Sequence, residues 1–304
     1  MKIVHVYKGN GKDKRNSVID AQIDSIQDHT IEIIKFPLST SGALSYLREF
    51  VRLRRFIKGD NIDLVHAHYS YSGIISGLTH RKTICSLMGT DVYAGSWWVK
   101  LITRFFYKYI WIKTIVKSRQ KQRLFPRAEV IPNGVNFNKF KIIPKEKAIK
   151  HTNLTKGKKN IIFIAEHIYE EVKNYSLAEK AFKYLPSNFN LIPVSGVTHD
   201  ELVYYYNAAD ALLLTSLSEG SPNIVKEAMV CNCPVVSTDV GDVGKVIYNT
   251  AGCFICDYNP KDIAEKIKAA INFDNRTNGR ENIIHLNANN IAAKLCQMYK
   301  QVLL

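Results

Sequence analysis

Long apolar runs are absent from the sequence. No stretch of about 18 uncharged apolar residues exists, which is the length that a membrane-spanning helix needs. The apolar run near the first residue, Ile3–Tyr7, is shorter than a signal-peptide core, and the charged stretch Gly9–Asn16 follows it. We therefore expect a cytoplasmic chain whose six cysteines are reduced thiols.

Acidic residues are scarce in the first half of the chain. Residues 1–145 hold 25 Lys and Arg against 10 Asp and Glu, whereas residues 146–304 hold 17 of each. The net charge of +15 therefore belongs to the first half, and this asymmetry predicts two domains with different partners. A basic domain suits nucleic acid, an anionic membrane or an acidic substrate, or it is only a solvated surface. Because no nucleic-acid recognition motif occurs, we expect no nucleic-acid partner.

Short apolar runs alternate with helical patterns along the whole chain. Continuous apolar strands between helices are typical of parallel sheets that are covered on both faces. The predicted strands are Lys2–Val6, Thr30–Phe36, Leu64–Ala67, Thr83–Leu87, Thr114–Val116, Glu129–Ile131, Asn160–Ala165, Phe189–Val194, Ala211–Thr215, Pro234–Ser237 and Cys253–Cys256. The pattern predicts an α/β protein of two doubly wound, Rossmann-like domains, with a ligand crevice at the carboxyl ends of the strands, between the domains.

The domain boundaries follow from composition. We predict a first domain over residues 1–145, a polar, Lys-rich linker over 146–159 and a second domain over 160–286. A final helical pattern lies within residues 287–304, and we expect it to pack back toward the first domain.

The segment from Ser216 to Glu227 carries most of the functional signal. It follows a predicted buried strand and contains Glu219 and Gly220 in a loop, and Pro222 is predicted in the first turn of the helix that follows. The amino end of a helix offers free N–H groups and partial positive charge, and glycine lets the backbone approach a ligand closely. A glutamate one turn into that helix is suited to accept hydrogen bonds from a diol such as ribose. Alone, two glutamates at this spacing are more often a capping acid and a solvated helix residue.

This segment resembles the two-glutamate signature of glycosyltransferase family 4, a retaining family with the GT-B fold of two Rossmann-like domains facing a central cleft. The resemblance extends over most of the chain and is strongest over Asn160–Asp257. Its supporting motifs are Asp63-Leu-Val-His-Ala-His68, Met88-Gly-Thr-Asp91, Ile131-Pro-Asn-Gly-Val135, Lys173-Asn174 and Pro234-Val-Val-Ser-Thr238.

The resemblance implies a role for individual residues. Glu227 would hold the ribose of a nucleotide-sugar donor, Glu219 would lie near the transferred sugar, and Lys173 would neutralise the diphosphate. The donor loop would be Gly220, Ser221, Pro222 and Asn223, and the nucleobase would lie near Val197 and Thr198. Residues expected to line the cleft or contact the acceptor are Gly9, Gly11, His68, Met88, Gly89 and Asp91. A histidine in the position of His68 is more often structural, and the two early glycines are equally interpretable as an ordinary loop.

The sequence departs from the family pattern at two positions. Members usually carry an arginine where Glu166 stands, and often a histidine where Met88 stands. The first change removes one cation from the expected diphosphate site, and the second removes a side chain that hydrogen-bonds a sugar hydroxyl.

No metal ion or cofactor is expected. The chain has no Asp-x-Asp motif, which metal-dependent transferases of the other major fold carry. The pairs Cys231/Cys233 and Cys253/Cys256 lie beside or within predicted strands, whereas structural zinc ligands usually lie on loops with knuckle spacing.

Two basic amphipathic helices are predicted in the first domain. Aromatic residues surround the cations of the first helix, Trp97–Tyr109, and either form the core or insert into an anionic membrane. The cations recur every three or four residues, as Lys100, Arg104 and Lys108 in this helix and as Arg48, Arg52 and Arg55 in the helix Ala43–Lys58.

These features together predict a retaining glycosyltransferase. It would move a hexose-type sugar from a UDP- or GDP-sugar to a saccharide, with a lipid-linked acceptor at the cytoplasmic membrane face as one candidate, in the synthesis of a surface polysaccharide or glycolipid. Two alternatives stay open: a sugar-nucleotide epimerase of the same fold, and a non-catalytic subunit that binds saccharide or membrane.

Overall fold

The computed structural model describes residues 1–9, 16–39, 43–80, 82–89, 97–273 and 275–304. These residues form two compact units. Unit 1 comprises Met1–Gly134 together with Ala288–Leu304, and unit 2 comprises Val135–Asn287. Unit 2 therefore begins upstream of the predicted linker. No helix in the described part of the chain is long and apolar enough to cross a membrane.

Unit 1 contains a parallel sheet of six strands in the order β2-β1-β3-β4-β5-β6. The order reverses direction between β1 and β3, which is where open α/β sheets bind ligands. Its elements up to residue 134 are β1 (Lys2–Lys8), α1 (Ser17–Asp24), β2 (Glu32–Leu38), α2 (Ala43–Gly59), β3 (Leu64–His68), α3 (Ser70–Thr79), β4 (Thr83–Leu87), α4 (Trp97–Tyr109), β5 (Lys113–Val116), α5 (Arg119–Gln122) and β6 (Glu129–Val130).

Unit 2 contains a parallel sheet of five strands in the order β11-β10-β9-β7-β8, and its reversal lies between β7 and β9. The elements are α6 (Lys145–Ala148), β7 (Lys159–Ile164), α7 (Tyr175–Phe182), β8 (Phe189–Val194), α8 (Leu202–Ala208), β9 (Ala211–Leu214), α9 (Asn223–Val230), β10 (Val235–Thr238), α10 (Val243–Val246), β11 (Phe254–Cys256), α11 (Pro260–Asn272) and α12 (Gly279–Asn282). Short 3₁₀ turns lie at Ile149–His151, Glu171–Lys173 and Ile284–Leu286.

The last helix, α13 (Ala288–Leu303), belongs to unit 1. Its Lys300 pairs with Asp28 after α1 at 2.7 Å, and the Tyr299 hydroxyl lies 2.6 Å from Nδ1 of His66 on β3. Gly134 is required where the two chain segments of unit 1 meet, since a Cβ there would lie 2.7 Å from the Ala288 Cα. That close approach gives a physical reason for the glycine of the Ile131–Val135 motif.

All eleven predicted strands are present, and the α/β prediction is confirmed. Helix α3 is the main element that the sequence did not predict. Its two glycines, Gly73 and Gly77, lower helix propensity, yet tertiary packing requires them. A Cβ on Gly73 would lie 2.5 Å from the Cys85 Sγ and 2.7 Å from the Trp111 ring. The helix exists because it packs this closely on β4, which local propensity cannot reveal.

The first half of the predicted linker is helical, whereas residues 152–158 are irregular. It holds α6 and a 3₁₀ turn, and Ala148 is fully buried. Lys145 forms an ion pair with Asp210 at 2.6 Å, and Asp210 also accepts from the backbone of Asn160 at the start of β7. These contacts tie residues 145–151 to unit 2, so the polar composition reflects a solvated face.

Candidate donor site and comparison with known proteins

The strand reversal in unit 2 brings two predicted residues together. β7 and β9 are neighbours in the sheet, and the chain that follows each strand passes the same carboxyl edge. Lys173 follows β7 and Glu219 follows β9, and the Lys173 Nζ donates to Glu219 Oε1 at 2.8 Å. The two side chains are 24% and 15% exposed, so this pair lies at the surface edge and can be reached by a ligand.

The Lys173 segment is fixed by its neighbours. Asn174 adopts a left-handed backbone with φ of 53°, which ends the 3₁₀ turn and starts α7. The Thr215 hydroxyl contacts the carbonyls of Lys173 and Asn174 at 3.2 and 2.9 Å, and the Leu217 N–H donates to Val172 O at 2.8 Å. These bonds join the loops after β7 and β9 and hold the lysine beside the glutamate.

Two hydrogen-bond donors orient the carboxylate of Glu219. Its Oε1 accepts from Lys173 and, at 2.9 Å, from the Ser216 hydroxyl. The carbonyl of Ser216 is itself held by the Thr238 hydroxyl at 2.8 Å and by the Tyr258 hydroxyl at 3.0 Å. With Oε1 occupied, Oε2 is the carboxylate oxygen that is left to meet a ligand hydroxyl.

Glu227 is buried on α9, and its side chain is only 4% exposed. Oε1 lies 2.8 Å from the His199 Nε2, and Oε2 accepts from the Tyr206 hydroxyl at 2.8 Å. Burial, and then the adjacent carboxylate, raise the pKa of Tyr206 well above its ordinary value, so this hydroxyl stays a donor. The carboxylate plane is therefore fixed while each oxygen keeps a lone pair.

A lysine sets the tautomer of His199. The Lys139 Nζ lies 2.9 Å from the His199 Nδ1, and an ammonium can only donate, so Nδ1 accepts and Nε2 carries the proton toward Glu227. Lys139 also pairs with Asp200 at 2.6 Å. Sequence analysis missed Lys139, His199 and Tyr206, because they come from three separate segments whose spacing has no recognisable pattern.

The predicted donor loop lies between these two glutamates. Pro222 is the residue before α9, with an extended ψ of 119°, and it is not inside the first turn as predicted. Gly241 packs against this loop with a left-handed φ of 64°, and a Cβ there would lie 2.6 Å from the Gly220 carbonyl oxygen. The Ser221 hydroxyl donates to Asp242 Oδ2 at 2.6 Å and also contacts the Lys226 Nζ. Asn223 is the first residue of α9.

The loop before α8 holds the predicted nucleobase contacts. Thr198 is exposed and Val197 is partly buried. The backbone N–H and the hydroxyl of Thr198 each donate to Glu201 Oε2 at 2.7 Å, just ahead of α8. These hydrogen bonds lower the pKa of Glu201 and hold the carboxylate ionised.

Unit 1 brings three of its predicted residues to the carboxyl edge of its own sheet. Gly9 follows β1, and its N–H donates to Leu38 O at 3.2 Å. Met88 follows β4 and packs against the cluster of Tyr7, Ile19 and Ile23, while Gly89 is buried with a φ of 129°. The other two predicted residues of this group, Gly11 and Asp91, lie outside the described residues.

His68 differs from its prediction as a cleft-lining residue, because it is fully buried. Its Nε2 lies 3.1 Å from the His5 Nδ1, and its ring stacks on His66 at 4.4 Å between centroids. His66 in turn contacts the Ser86 hydroxyl at 2.8 Å. We name His5, His66 and His68 the histidine cluster; its nitrogens lie within 4.8 Å of one another, a spacing that suits a metal ion. Both ring nitrogens of His66 are already hydrogen-bonded, to the Tyr299 and Ser86 hydroxyls, so we assign no metal here.

The histidine cluster is uncharged. Burial is the largest cause, and it lowers the pKa of His5 to about 3 and the pKa values of His66 and His68 well below 6.5. The positive charge of Lys117 lowers the last two further. Sequence analysis missed His5, because its partners lie on another strand.

Two family models match the chain. "Glycosyl transferase 4-like" matches residues 16–115 in unit 1, and "Glycosyl transferases group 1" matches residues 176–272 in unit 2. The second match contains both glutamates of the donor site.

Curated proteins and solved structures agree with these matches. An uncharacterised glycosyltransferase of Methanocaldococcus jannaschii is 27% identical over 75% of this chain and 71% of its own length. A UDP-Gal:alpha-D-GlcNAc-diphosphoundecaprenol alpha-1,3-galactosyltransferase of Escherichia coli is 22% identical over 71% of this chain and 68% of its own length.

Among solved structures, sucrose-phosphate synthase of Thermosynechococcus elongatus aligns with a TM-score of 0.78 at 16% identity, covering 99% of this chain and 98% of that one. HepE of Anabaena, in complex with UDP and glucose, aligns with a TM-score of 0.77 at 14% identity. The alignment covers 99% of this chain and 100% of HepE. At these identities the structures establish the fold alone, and it is the GT-B fold. Two matched family models, homologous transferases and the GT-B fold lead to one conclusion: the chain belongs to the group 1 glycosyltransferases.

Proposed function

We propose that this glycosyltransferase uses a UDP- or GDP-hexose as donor, transfers with retention and without a metal ion, and acts on a saccharide acceptor that is lipid-linked. The observation that carries the proposal is the pair Lys173–Glu219 on the same unit as the braced carboxylate of Glu227. The relative from Escherichia coli has a lipid-linked substrate in its name, and HepE is recorded with UDP and glucose.

The nucleotide-sugar would bind with its ribose at Glu227 and its diphosphate at the amino end of α9. The ribose hydroxyls would donate to Glu227, whose oxygens are held by His199 and Tyr206. The diphosphate would lie at the amino end of α9, and Lys173 would exchange its bond to Glu219 for a phosphate oxygen. Lys173 would then be the cation left at the diphosphate, because Glu166, which is exposed here, stands where the family usually supplies an arginine.

The reaction follows from this placement. The acceptor hydroxyl attacks the anomeric carbon as the bond from that carbon to the diphosphate oxygen breaks. The electron pair leaves with the nucleoside diphosphate, and the acceptor proton passes to the leaving phosphate oxygen. Lys173 stabilises the charge that develops on the phosphate, and Glu219 orients the sugar through Oε2.

A direct test is product analysis with a panel of nucleotide-sugars, with and without a saccharide acceptor. We expect acceptor-dependent release of one nucleoside diphosphate and a product with the donor's anomeric configuration. Conversion of the donor without acceptor would instead identify an epimerase, and donor binding without any turnover would identify a non-catalytic subunit.

Glu227→Ala is expected to weaken UDP or GDP binding about tenfold to a hundredfold, because charge-assisted hydrogen bonds to the ribose are worth about 1.5–3 kcal/mol each. Calorimetric titration measures the loss. The same titration with the 2′-deoxynucleotide tests the assignment, since the variant should no longer distinguish the two ligands. Glu265→Ala, an exposed glutamate of α11, is the matched control. Equal nucleotide binding by Glu227→Ala and its parent would refute the ribose assignment.

Helix α4 supports the membrane-facing part of the proposal. Val99, Thr103 and Phe106 face the core, but an apolar stripe points outward. The exposed fractions along this stripe are 76% for Trp97, 60% for Leu101, 53% for Phe105 and 62% for Tyr109. Lys100, Arg104 and Lys108 are also exposed beside it. Only part of the aromatic set forms the core, so this face suits the interface of an anionic membrane.

The second predicted basic helix, α2, is weaker support for membrane contact. Arg52 on α2 pairs with Glu49 at 2.6 Å, donates to the Pro37 carbonyl and lies 4.1 Å from the centre of the Phe36 ring. One cation of this helix is therefore engaged within unit 1, which makes α4 the better face to test.

We expect the protein to sediment with vesicles that contain phosphatidylglycerol and to remain in solution with pure phosphatidylcholine. Trp97→Ser with Phe105→Ser should reduce the bound fraction at all salt concentrations, because apolar insertion is lost. Lys100→Gln with Arg104→Gln should reduce it mainly at low salt. Tyr248→Ser removes an aromatic that is 72% exposed in unit 2 and serves as control. Undiminished binding by both double variants would exclude α4 as the contact.

A further inference from the structure

Lys226 is a charged residue placed entirely inside unit 2. It lies one turn into α9, and its side chain is 0% exposed. A buried ammonium is costly unless it is paired and hydrogen-bonded, so its retention beside the donor loop requires a local reason. Sequence analysis gave this residue no role.

Two side chains, Asp242 and Ser221, contact this ammonium and each other. Lys226 Nζ lies 3.1 Å from Asp242 Oδ2 and in short contact with the Ser221 Oγ. The Ser221 hydroxyl closes the triangle by donating to the same Asp242 oxygen at 2.6 Å. Burial lowers the pKa of Lys226, while the charge of Asp242 opposes that shift and favours the ammonium form. Asp242 is itself only 9% exposed, so the pair is screened from water.

The triangle determines what Ser221 can offer a ligand. Its single hydroxyl proton goes to Asp242, and a lone pair receives a proton of Lys226. The hydroxyl is therefore used inside the protein and is not a donor for phosphate. Its effect is to tie the loop before α9 to the turn before α10.

A second contact ties the same two segments. Gly241, next to Asp242, packs on the backbone of the donor loop, and a Cβ there would lie 2.6 Å from Gly220 O and 3.1 Å from Glu219 O. The Lys226–Asp242 pair and this backbone contact act on adjacent residues of each segment. The position of the loop that leads from Glu219 to α9 is thus set from within the protein.

We propose that Lys226 and Asp242 are positioning residues for the donor diphosphate, which act by holding Ser221 and so fixing residues 220–222 at the amino end of α9. This inference rests on the proposed function. A loop held in its bound geometry binds donor without the cost of ordering it on association.

The test separates positioning from stability. Lys226→Met alone leaves Asp242 buried without its partner, and it should lower both the melting temperature and donor affinity. Lys226→Met with Asp242→Leu removes both charges and should recover most of the melting temperature, since an apolar pair often replaces a buried ion pair without loss. We expect the double variant still to bind the nucleotide-sugar at least tenfold more weakly, with KM raised more than kcat is lowered.

Two further variants complete the set. Ser221→Ala keeps the ion pair but cuts the link, so it should weaken donor binding with little change in melting temperature. Lys266→Met, which removes the partly exposed lysine that lies 3.9 Å from Asp262 on α11, is the control and should change neither property. Hydrogen exchange at residues 220–223 without ligand should be faster in the double variant and in Ser221→Ala.

Recovery of donor affinity together with melting temperature in the Lys226/Asp242 double variant would overturn the inference, because the pair would then be only structural. So would unchanged exchange in the loop. If the parent protein binds none of the nucleotide-sugars, the proposed function itself fails, and this result is distinct from normal binding by parent and variants alike.

Discussion

Glu219→Gln is expected to reduce kcat by about 10²–10³-fold while changing the affinity for free UDP or GDP by less than about threefold. The amide keeps the shape of the side chain but loses the charge that holds Lys173 at 2.8 Å and orders the loop beside the sugar. Glu219 lies in the loop before α9 and Glu227 lies within that helix, so the nucleotide contacts assigned to Glu227 should persist. The substitution thus separates the reacting part of the site from the nucleotide-binding part.

Steady-state kinetics with the donor identified by the panel, together with calorimetry for the nucleotide, measure both quantities. Glu179→Gln, an exposed glutamate of α7, is the matched control and should behave as the parent. Turnover within threefold of the parent would contradict an essential role of Glu219. An equal loss in nucleotide affinity and in kcat would assign this glutamate to ground-state donor binding instead.

Unit 1 is expected to unfold on mild acidification, and this is the largest stability effect that we predict. The histidine cluster is neutral in the folded protein, with the pKa of His5 at about 3, whereas an unfolded histidine titrates near 6.5. Below about pH 6.5 the unfolded chain binds protons that the folded chain does not, so the stability falls as pH falls. Each such histidine costs about 1.4 kcal/mol per pH unit, which is about 2 kcal/mol at pH 5.

The expected loss from all three histidines at pH 5 is about 6 kcal/mol as an upper bound, against a typical total stability of about 5–15 kcal/mol. Tryptophan fluorescence reports this unfolding specifically, because Trp97, Trp98 and Trp111 all belong to unit 1 and Trp111 is 6% exposed. Urea titrations between pH 7.5 and 5 give the free energy of unfolding at each pH.

His5→Phe supplies the control for this prediction. The variant removes one titrating ring, so the slope of the unfolding free energy against pH should fall by about 1.4 kcal/mol per unit, whatever the variant's stability at pH 7.5. His29→Phe, on the loop between α1 and β2, should leave the slope unchanged. A slope for the parent near zero between pH 6 and 5 would show that the cluster is already protonated in the folded protein.

Much of the architecture could be predicted because periodicity and burial agree there. The strands Thr83–Leu87 and Phe189–Val194 and the helix Trp97–Tyr109 match the sequence-based bounds. Lys173 and Glu219 meet at a strand reversal, which follows from the topology of a parallel sheet and needs no further detail. The fold and the Lys173–Glu219 pair could therefore be predicted from local sequence patterns.

The contacts that hold the side chains of the site in place could not be predicted in the same way. Whether a polar residue faces solvent or the core depends on which segments pack on it, and Lys226 and His68 look like ordinary surface residues in the sequence. Tyr206 and Glu227 lie on different helices, and only their packing brings the hydroxyl within 2.8 Å of the carboxylate. Helix α3 was missed for the same reason, since its glycines are explained by Trp111 and Cys85 rather than by neighbours in sequence.

The two-segment construction of unit 1 has a consequence for synthesis. The ribosome makes residues 1–134 first, but Tyr299, which is fully buried against His66, is made only after the whole of unit 2. Unit 2 is continuous and can complete its core while unit 1 still lacks α13. Amino-terminal domains usually fold first during translation, but here unit 1 cannot complete its packing until α13 has emerged, and the surface that α13 covers stays exposed until then.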